Sequence, residues 1–166
     1  MKFKSLTMIV FLSLNLSCFM ACQNSDPKVW DIYPTIILIS VEDSQGNDML
    51  NTSIEGNIAN SGIRAIYKER IFEKDSIVYD ISRAYMARLR GLQTDSLING
   101  KYVLSFGEFN GDDNFKNEKI VIDWNDGTQD TIAFDSKFSW KNKKPSVKRK
   151  YYLNGEETEH PIKIIK

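Results

Sequence analysis

A chain of 166 residues, 42% hydrophobic and 27% charged, is long enough for one well-buried domain and too apolar for a disordered tail. Its 22 basic and 22 acidic side chains cancel, which excludes the cationic excess that nucleic-acid binding normally requires. One histidine and two cysteines leave few ligands for zinc or another soft metal.

The two cysteines, Cys18 and Cys22, close the first segment. Lys2 and Lys4 open it, and residues 6–20 are largely apolar but interrupted by Asn15 and Ser17 and short for a bilayer span, as in a secretory leader. The alternative is a membrane anchor that is never cleaved. Phe19-Met20-Ala21-Cys22 resembles the lipobox of bacterial lipoproteins, although Phe19 and Met20 depart from the usual leucine and small residue. The resemblance implies a signal peptide over residues 1–21, cleavage after Ala21 and a lipid on Cys22. A rival cut before Cys18 puts polar Asn15 where an aliphatic residue is expected, so Cys22 is preferred. Cleavage there discards Cys18 and with it any intrachain disulfide or two-thiolate site. The expected partner of Cys22 is then the membrane, reached without spanning it.

Residues 22–29 are polar, contain Pro27 and read as a tether, with the domain over residues 30–166. Asp26 is its only acid, whereas some lipoproteins carry an acid-rich stretch here that sends them to the outer surface. Periplasmic and surface-facing placements both stay open.

Residues 35–41 (TIILISV) predict a buried strand that ends in the turn cluster 42–48. Residues 63–68 alternate and 70–73 follow after a short polar break, which predicts a hairpin. Residues 83–92 fit a helical stripe of Tyr85, Leu89 and Leu92, or a strand; Gly91 weakens the helix and the strand is preferred. Residues 102–106 alternate. Ile120, Ile122 and Trp124 share one face, as do Ile132 and Phe134, then Phe138 and Trp140. Val147, Arg149, Tyr151 and Leu153 alternate with Lys148 and Lys150, and Ile162 and Ile164 close the chain.

That pattern predicts an all-β antiparallel sandwich of about eight or nine short strands. Within it, residues 120–134 predict a hairpin with a three-residue loop, Asn125-Asp126-Gly127. Only that register sets Ile120 opposite Ile132 and turns Ile120, Ile122, Trp124, Ile132 and Phe134 inward together; a two-residue loop splits the set and opposes Asp123 to Asp130. A type I turn followed by a left-handed Gly127 is the expected loop.

The stretches WDIYP (30–34), VEDSQGNDML (41–50), YVLSFGEFNG (102–111), IDWNDGTQDTI (122–132) and YYLNG (151–155), behind the lipobox, resemble the small single-domain lipoproteins of Bacteroidetes. That group is known mainly as a domain of unknown function. The resemblance implies an immunoglobulin-like sandwich in the cell envelope, with the outer membrane as the expected site, and brings no catalytic residue. Trp124-Asn-Asp-Gly-Thr is also similar to the W-G-D-G-T turn of polycystic-kidney-disease-type modules, with Asn125 in place of glycine.

Catalytic sets are scarce. His160 has no G-x-S-x-G or similar nucleophile motif to partner it and is expected to face solvent at a strand start. No glycine-rich phosphate loop leads into a helix. Asp112-Asp113 and Asp123-x-Asn125-Asp126-Gly127 could offer oxygens to calcium, but in the second the glycine comes one place early for an EF-hand, and turn chemistry accounts for both. Glu108 with Asp112 or Asp113 is the remaining carboxylate pair for a glycosidase. No cofactor is expected.

The most lopsided charge lies in residues 137–150, with Lys137, Lys141, Lys143, Lys144, Lys148, Arg149 and Lys150 and no acid. It reads as a solvated loop balanced by Glu156, Glu157 and Glu159, or as a basic hairpin that meets anionic headgroups or acidic glycans with Trp140 as an aromatic contact. Trp140, Lys141, Lys143, Lys144, Lys148 and Arg149 are therefore the candidate binding surface. The expected function is a non-catalytic, membrane-anchored envelope module that binds a protein or glycan. Its rivals are a structural subunit of a surface assembly and a carboxylate-dependent envelope hydrolase.

Overall fold

The computed structural model describes residues 30–76 and 89–166, of which 32–166 belong to one compact unit. Ala21, Cys22 and the tether lie outside the described residues, as do residues 83–88 of the ambiguous stretch. Its remainder, Leu89 to Gly91, is not strand, and a strand begins at Leu92.

Ten strands occupy the described residues: β1 (Thr35–Glu42), β2 (Arg64–Tyr67), β3 (Arg70–Glu73), β4 (Leu92–Ser96), β5 (Tyr102–Phe109), β6 (Phe115–Asp123), β7 (Gln129–Lys141), β8 (Lys144–Leu153), β9 (Glu156–Thr158) and β10 (Ile162–Ile165). They form a four-stranded sheet in the order β10-β1-β5-β4 and a six-stranded sheet in the order β3-β2-β6-β7-β8-β9. The expected all-β sandwich is the observed fold. Its additional strands, β4 (LQTDS) and β9 (EET), are polar edge strands, which bury too little to print an apolar alternation. One pairing is parallel, β1 with β10.

Alternation places Ile37, Ile39 and Val41 of β1 on one face, with Leu104 opposite Ile39 and Phe106 opposite Ile37 on β5. On the other sheet Ile120 stands opposite Ile132, and Ala65 opposite Ile122. These faces meet in one core. Aromatic rings join it across the sheets, Phe109 lying 4.8 Å from Phe134 and Phe72 5.4 Å from Phe106.

The β6–β7 hairpin has the expected register: Ile120 pairs with Ile132, Ile122 with Asp130, and the Trp124 amide donates to Thr128 O. Asp130, awkward opposite an isoleucine, accepts the Trp124 indole N–H at 2.7 Å, so a fully buried ring keeps its one polar atom satisfied. Gly127 is left-handed, with φ +87°. The loop is not the type I form, because Asn125 is also left-handed at φ 60°. Asparagine tolerates that conformation, and the Asn125 amide fixes it by donating from its backbone to Asp123 and from Nδ2 to Ser61 O.

Candidate functional site: the lysine face of β6, β7 and β8

β6 last pairs with β7 at Phe115 opposite Ser136. Beyond that rung β7 continues to Lys141 with β8 as its only strand partner among the described residues, Phe138 N–H donating to Asn114 Oδ1 at 2.8 Å, so the two strands form a projecting arm. Asn142 and Lys143, both at positive φ, close its two-residue turn, a geometry that matches strand twist. Period-two alternation splits the arm. Phe138, Trp140, Pro145 and Val147 continue the core face, whereas Lys137, Lys141, Lys144 and Lys148 continue the outer face.

Two rungs of the arm oppose like charges, Lys137 to Lys148 and Lys141 to Lys144. Such pairs destabilise a hairpin, so the sequence holds a charge density that folding alone disfavours. Trp140 is 59% exposed.

Below the arm the outer face carries two adjoining hollows. One, of about 700 Å³, is lined by Lys116, Asn117, Lys119, Asp135 and Tyr152 among others. The second, of about 420 Å³, lies at the edge where β6 begins beside β7, so that Phe115 and Phe138 of the core face border it together with Lys137, Lys148 and Lys150 of the outer face. They share Lys116 and Asp135. Lys116 Nζ sits 2.6 Å from Asp135, whose other oxygen accepts the Asn117 amide at 2.7 Å, and Lys116 foremost holds that carboxyl below its usual range. Asp135 is thus a fixed carboxylate and a poor proton donor. Lys150 pairs with Glu157 at 2.8 Å. Lys119, Lys137 and Lys148 make no ion pair among the described residues. Ser136, in the second hollow, is buried, and its hydroxyl has no partner among the described residues.

The structure sorts the sequence candidates. Trp140, Lys141, Lys143, Lys144 and Lys148 gather on the arm. Arg149 belongs to its root and faces the other way, where Nε donates to Thr35 Oγ1 at 2.7 Å and Nη2 to Tyr33 O at 3.0 Å. That guanidinium ties β8 to the start of β1. Lys116, Asn117, Lys119 and Tyr152 join the face although the sequence reading left them out. Asn117, Lys119 and Tyr152 lie on the outward half of the alternation on β6 and β8, whereas Lys116 joins them through the bulge between Phe115 and Glu118, where Asn117 is left-handed at φ 50°. The face shows only once the two strands are known to flank β7.

The acidic clusters go elsewhere. Asp123 pairs with Arg64 at 2.7 Å. Asp126 is lowered to about 2, first by the Thr128 hydroxyl and amide and then by Lys166. Glu108 faces Arg90 at 3.8 Å, and Asp112 and Asp113 are exposed turn residues. Among the described residues no three His, Cys, Asp or Glu side chains converge as a metal site.

His160 does not face solvent as expected. Its ring stacks on Tyr151 at 4.4 Å, and Nε2 lies 3.0 Å from Leu38 N and 3.1 Å from Ile36 O. The imidazole stands where β10 would continue alongside β1, replacing a backbone partner with a side chain. Burial, first, and the charge of Arg149 push its pKa down, against the pull of the Ile36 carbonyl.

Comparison with known proteins finds no matching family model, no matching curated protein and no matching solved structure.

Proposed function

We propose that this chain is a non-catalytic binding module of the cell envelope, held on the outer membrane by a lipid on Cys22, with the lysine face of β6, β7 and β8 as its ligand surface. The leader and lipobox support the anchor, and the Bacteroidetes resemblance supports an immunoglobulin-like assignment for the sandwich. The ligand class that suits the face is a polyanion, an acidic glycan above all. One observation carries this reading: Lys116, Lys119, Lys137, Lys148 and Lys150 line one sheet face, and three of them lack an acid partner among the described residues. Cations gathered on a concave face attract anions, and Tyr152 and Asn117 add a ring and an amide for sugar contact.

Heparin serves as a probe. Calorimetric titration is expected to show binding that weakens steeply with salt and is at least tenfold weaker in Lys119→Gln/Lys148→Gln, with neutral dextran inert. Equal affinity for heparin in the double variant overturns the assignment of the face. The anchor has its own test: Cys22→Ala abolishes fatty-acid labelling and Cys18→Ala does not, whereas persistent labelling of Cys22→Ala refutes it.

A further inference from the structure

The incoming chain reaches the sandwich at the root of the arm. Arg149, on the first rung of the arm, holds Thr35 and the carbonyl of Tyr33, and the segment Ile32–Tyr33 packs so tightly on the β5–β6 turn that a β-carbon on Gly111 would meet Tyr33 O at 2.3 Å. Ten Cα-to-Cα steps lead from Cys22 to Ile32, so the covalent chain spans at most about 35 Å between them. From the Ser136–Arg149 rung the arm runs five residues to its turn, about 17 Å. The arm and the start of β1 thus share one end of the sandwich.

That end is built for an interface of mixed character. Trp140 is 59% and Tyr33 74% exposed. The arm also carries Lys137, Lys141, Lys143, Lys144 and Lys148 and no acid, with Lys137, Lys141, Lys144 and Lys148 on the face opposite Trp140. Acids begin at its root, where Asp135 holds Lys116 and Glu157 holds Lys150, and in the β5–β6 turn with Asp112 and Asp113. The opposite end gathers Glu42, Asp43, Asp48, Asp123 and Asp126, with Glu42 and Asp126 tied to Lys101, Lys163 and Lys166. The arm tip is thus basic and aromatic, whereas the opposite end holds acids largely paired with lysine or arginine.

We infer that the tip of the β7–β8 arm docks on a bilayer surface rich in anionic headgroups, with the Trp140 indole at headgroup depth and Lys141, Lys143 and Lys144 against the phosphates. Indole rings favour that depth because one edge is polar and the body apolar, and lysines near an anionic leaflet are attracted within a Debye length. Two classes of contact, acyl chains on Cys22 and this arm, then fix the orientation of the domain and stand its lysine trough upright from the membrane. The inference rests on the proposed lipid anchor.

The test uses the mature lipidated protein reconstituted on vesicles of phosphatidylcholine, alone or with phosphatidylglycerol, carrying brominated acyl chains that quench nearby tryptophans. On vesicles with phosphatidylglycerol, bromine is expected to quench the wild type more than Trp140→Phe. That difference shrinks on phosphatidylcholine alone and in Lys141→Gln/Lys143→Gln/Lys144→Gln, for which three lysines predict roughly a hundredfold shift in the ratio of docked to undocked arm. Protein that floats with both vesicle types while wild type and Trp140→Phe are quenched alike overturns the arm and leaves the anchor standing. Protein that fails to float with phosphatidylcholine vesicles removes the anchor, and the inference falls with it.

Discussion

The two halves of β7 carry the same alternation and meet opposite fates. Ile132 and Phe134 are wholly buried, whereas Trp140, on the same face of the same strand, is 59% exposed. The difference is cover. β6 pairs with the first half, and Phe134 meets Phe109 across the sandwich, but past Ser136 the pairing with β6 stops. Alternation therefore defines a face, while topology decides whether that face becomes core or contact surface. Truncation separates the two roles most sharply. Trp124→Ala, in the covered region, is expected to cost about 3–5 kcal/mol in urea unfolding, and Trp140→Ala less than about 0.5 kcal/mol. A comparable loss at Trp140 would show the arm to be packed like the core.

The rung that divides the halves gives the next largest effect. Arg149 makes two hydrogen bonds to the start of β1, and a guanidinium bond to a neutral partner is worth about 1.5–3 kcal/mol when well shielded. Partial exposure here reduces that, so Arg149→Met is expected to cost about 1–2 kcal/mol and to speed amide exchange over residues 35–37. Lys148→Met, one residue away on the outer face, is expected to change stability by less than about 0.5 kcal/mol.

How much of this was legible in the sequence follows the same division. The β6–β7 register was, because burial of five apolar side chains leaves one solution. The β2–β3 hairpin was too, although its loop is Lys68-Glu69, both left-handed without a glycine. β9 carried a missed signal in Asn154-Gly155, a pair suited to a two-residue turn, which here joins Leu153 to Glu156. The lysine trough and the parallel β1–β10 pair needed strand order, a tertiary property that no local pattern encodes. So did the seat of His160, whose partners Ile36 and Leu38 are more than a hundred residues away.

That histidine yields a pH signature. Its folded pKa lies below the unfolded value near 6.5, so the unfolded state takes up the proton first, and the stability present above about pH 6.5 is lost as pH falls through the folded pKa. Leu38 N–H donates to a lone pair on Nε2 that protonation removes. Between about pH 7 and pH 5 the stability of the wild type is expected to decline with a slope no steeper than about 1.4 kcal/mol per pH unit, one proton's worth. His160 is the only histidine, so His160→Gln should flatten the curve in that window. An unchanged slope would place the sensitivity elsewhere.

The smallest effects distinguish the two loops that β7 joins. At the covered end Gly127 has φ +87° and open space where a β-carbon would go, so Gly127→Ala meets no neighbour and its cost is backbone strain alone, about 1 kcal/mol. At the arm's tip the sequence makes the opposite choice: Lys143 occupies a left-handed position, φ 59°, that a glycine would hold without strain. Lys143→Gly should then stabilise the hairpin by up to about 1 kcal/mol, through relief of that strain and of charge repulsion beside Lys141 and Lys144. Opposite signs for the two substitutions, measured in the same denaturant series, would show that the arm keeps a lysine at the expense of its own fold, as a surface selected for contact does. A destabilising Lys143→Gly would mean that the lysine side chain packs in the turn, and the tip would lose its claim to be a docking surface.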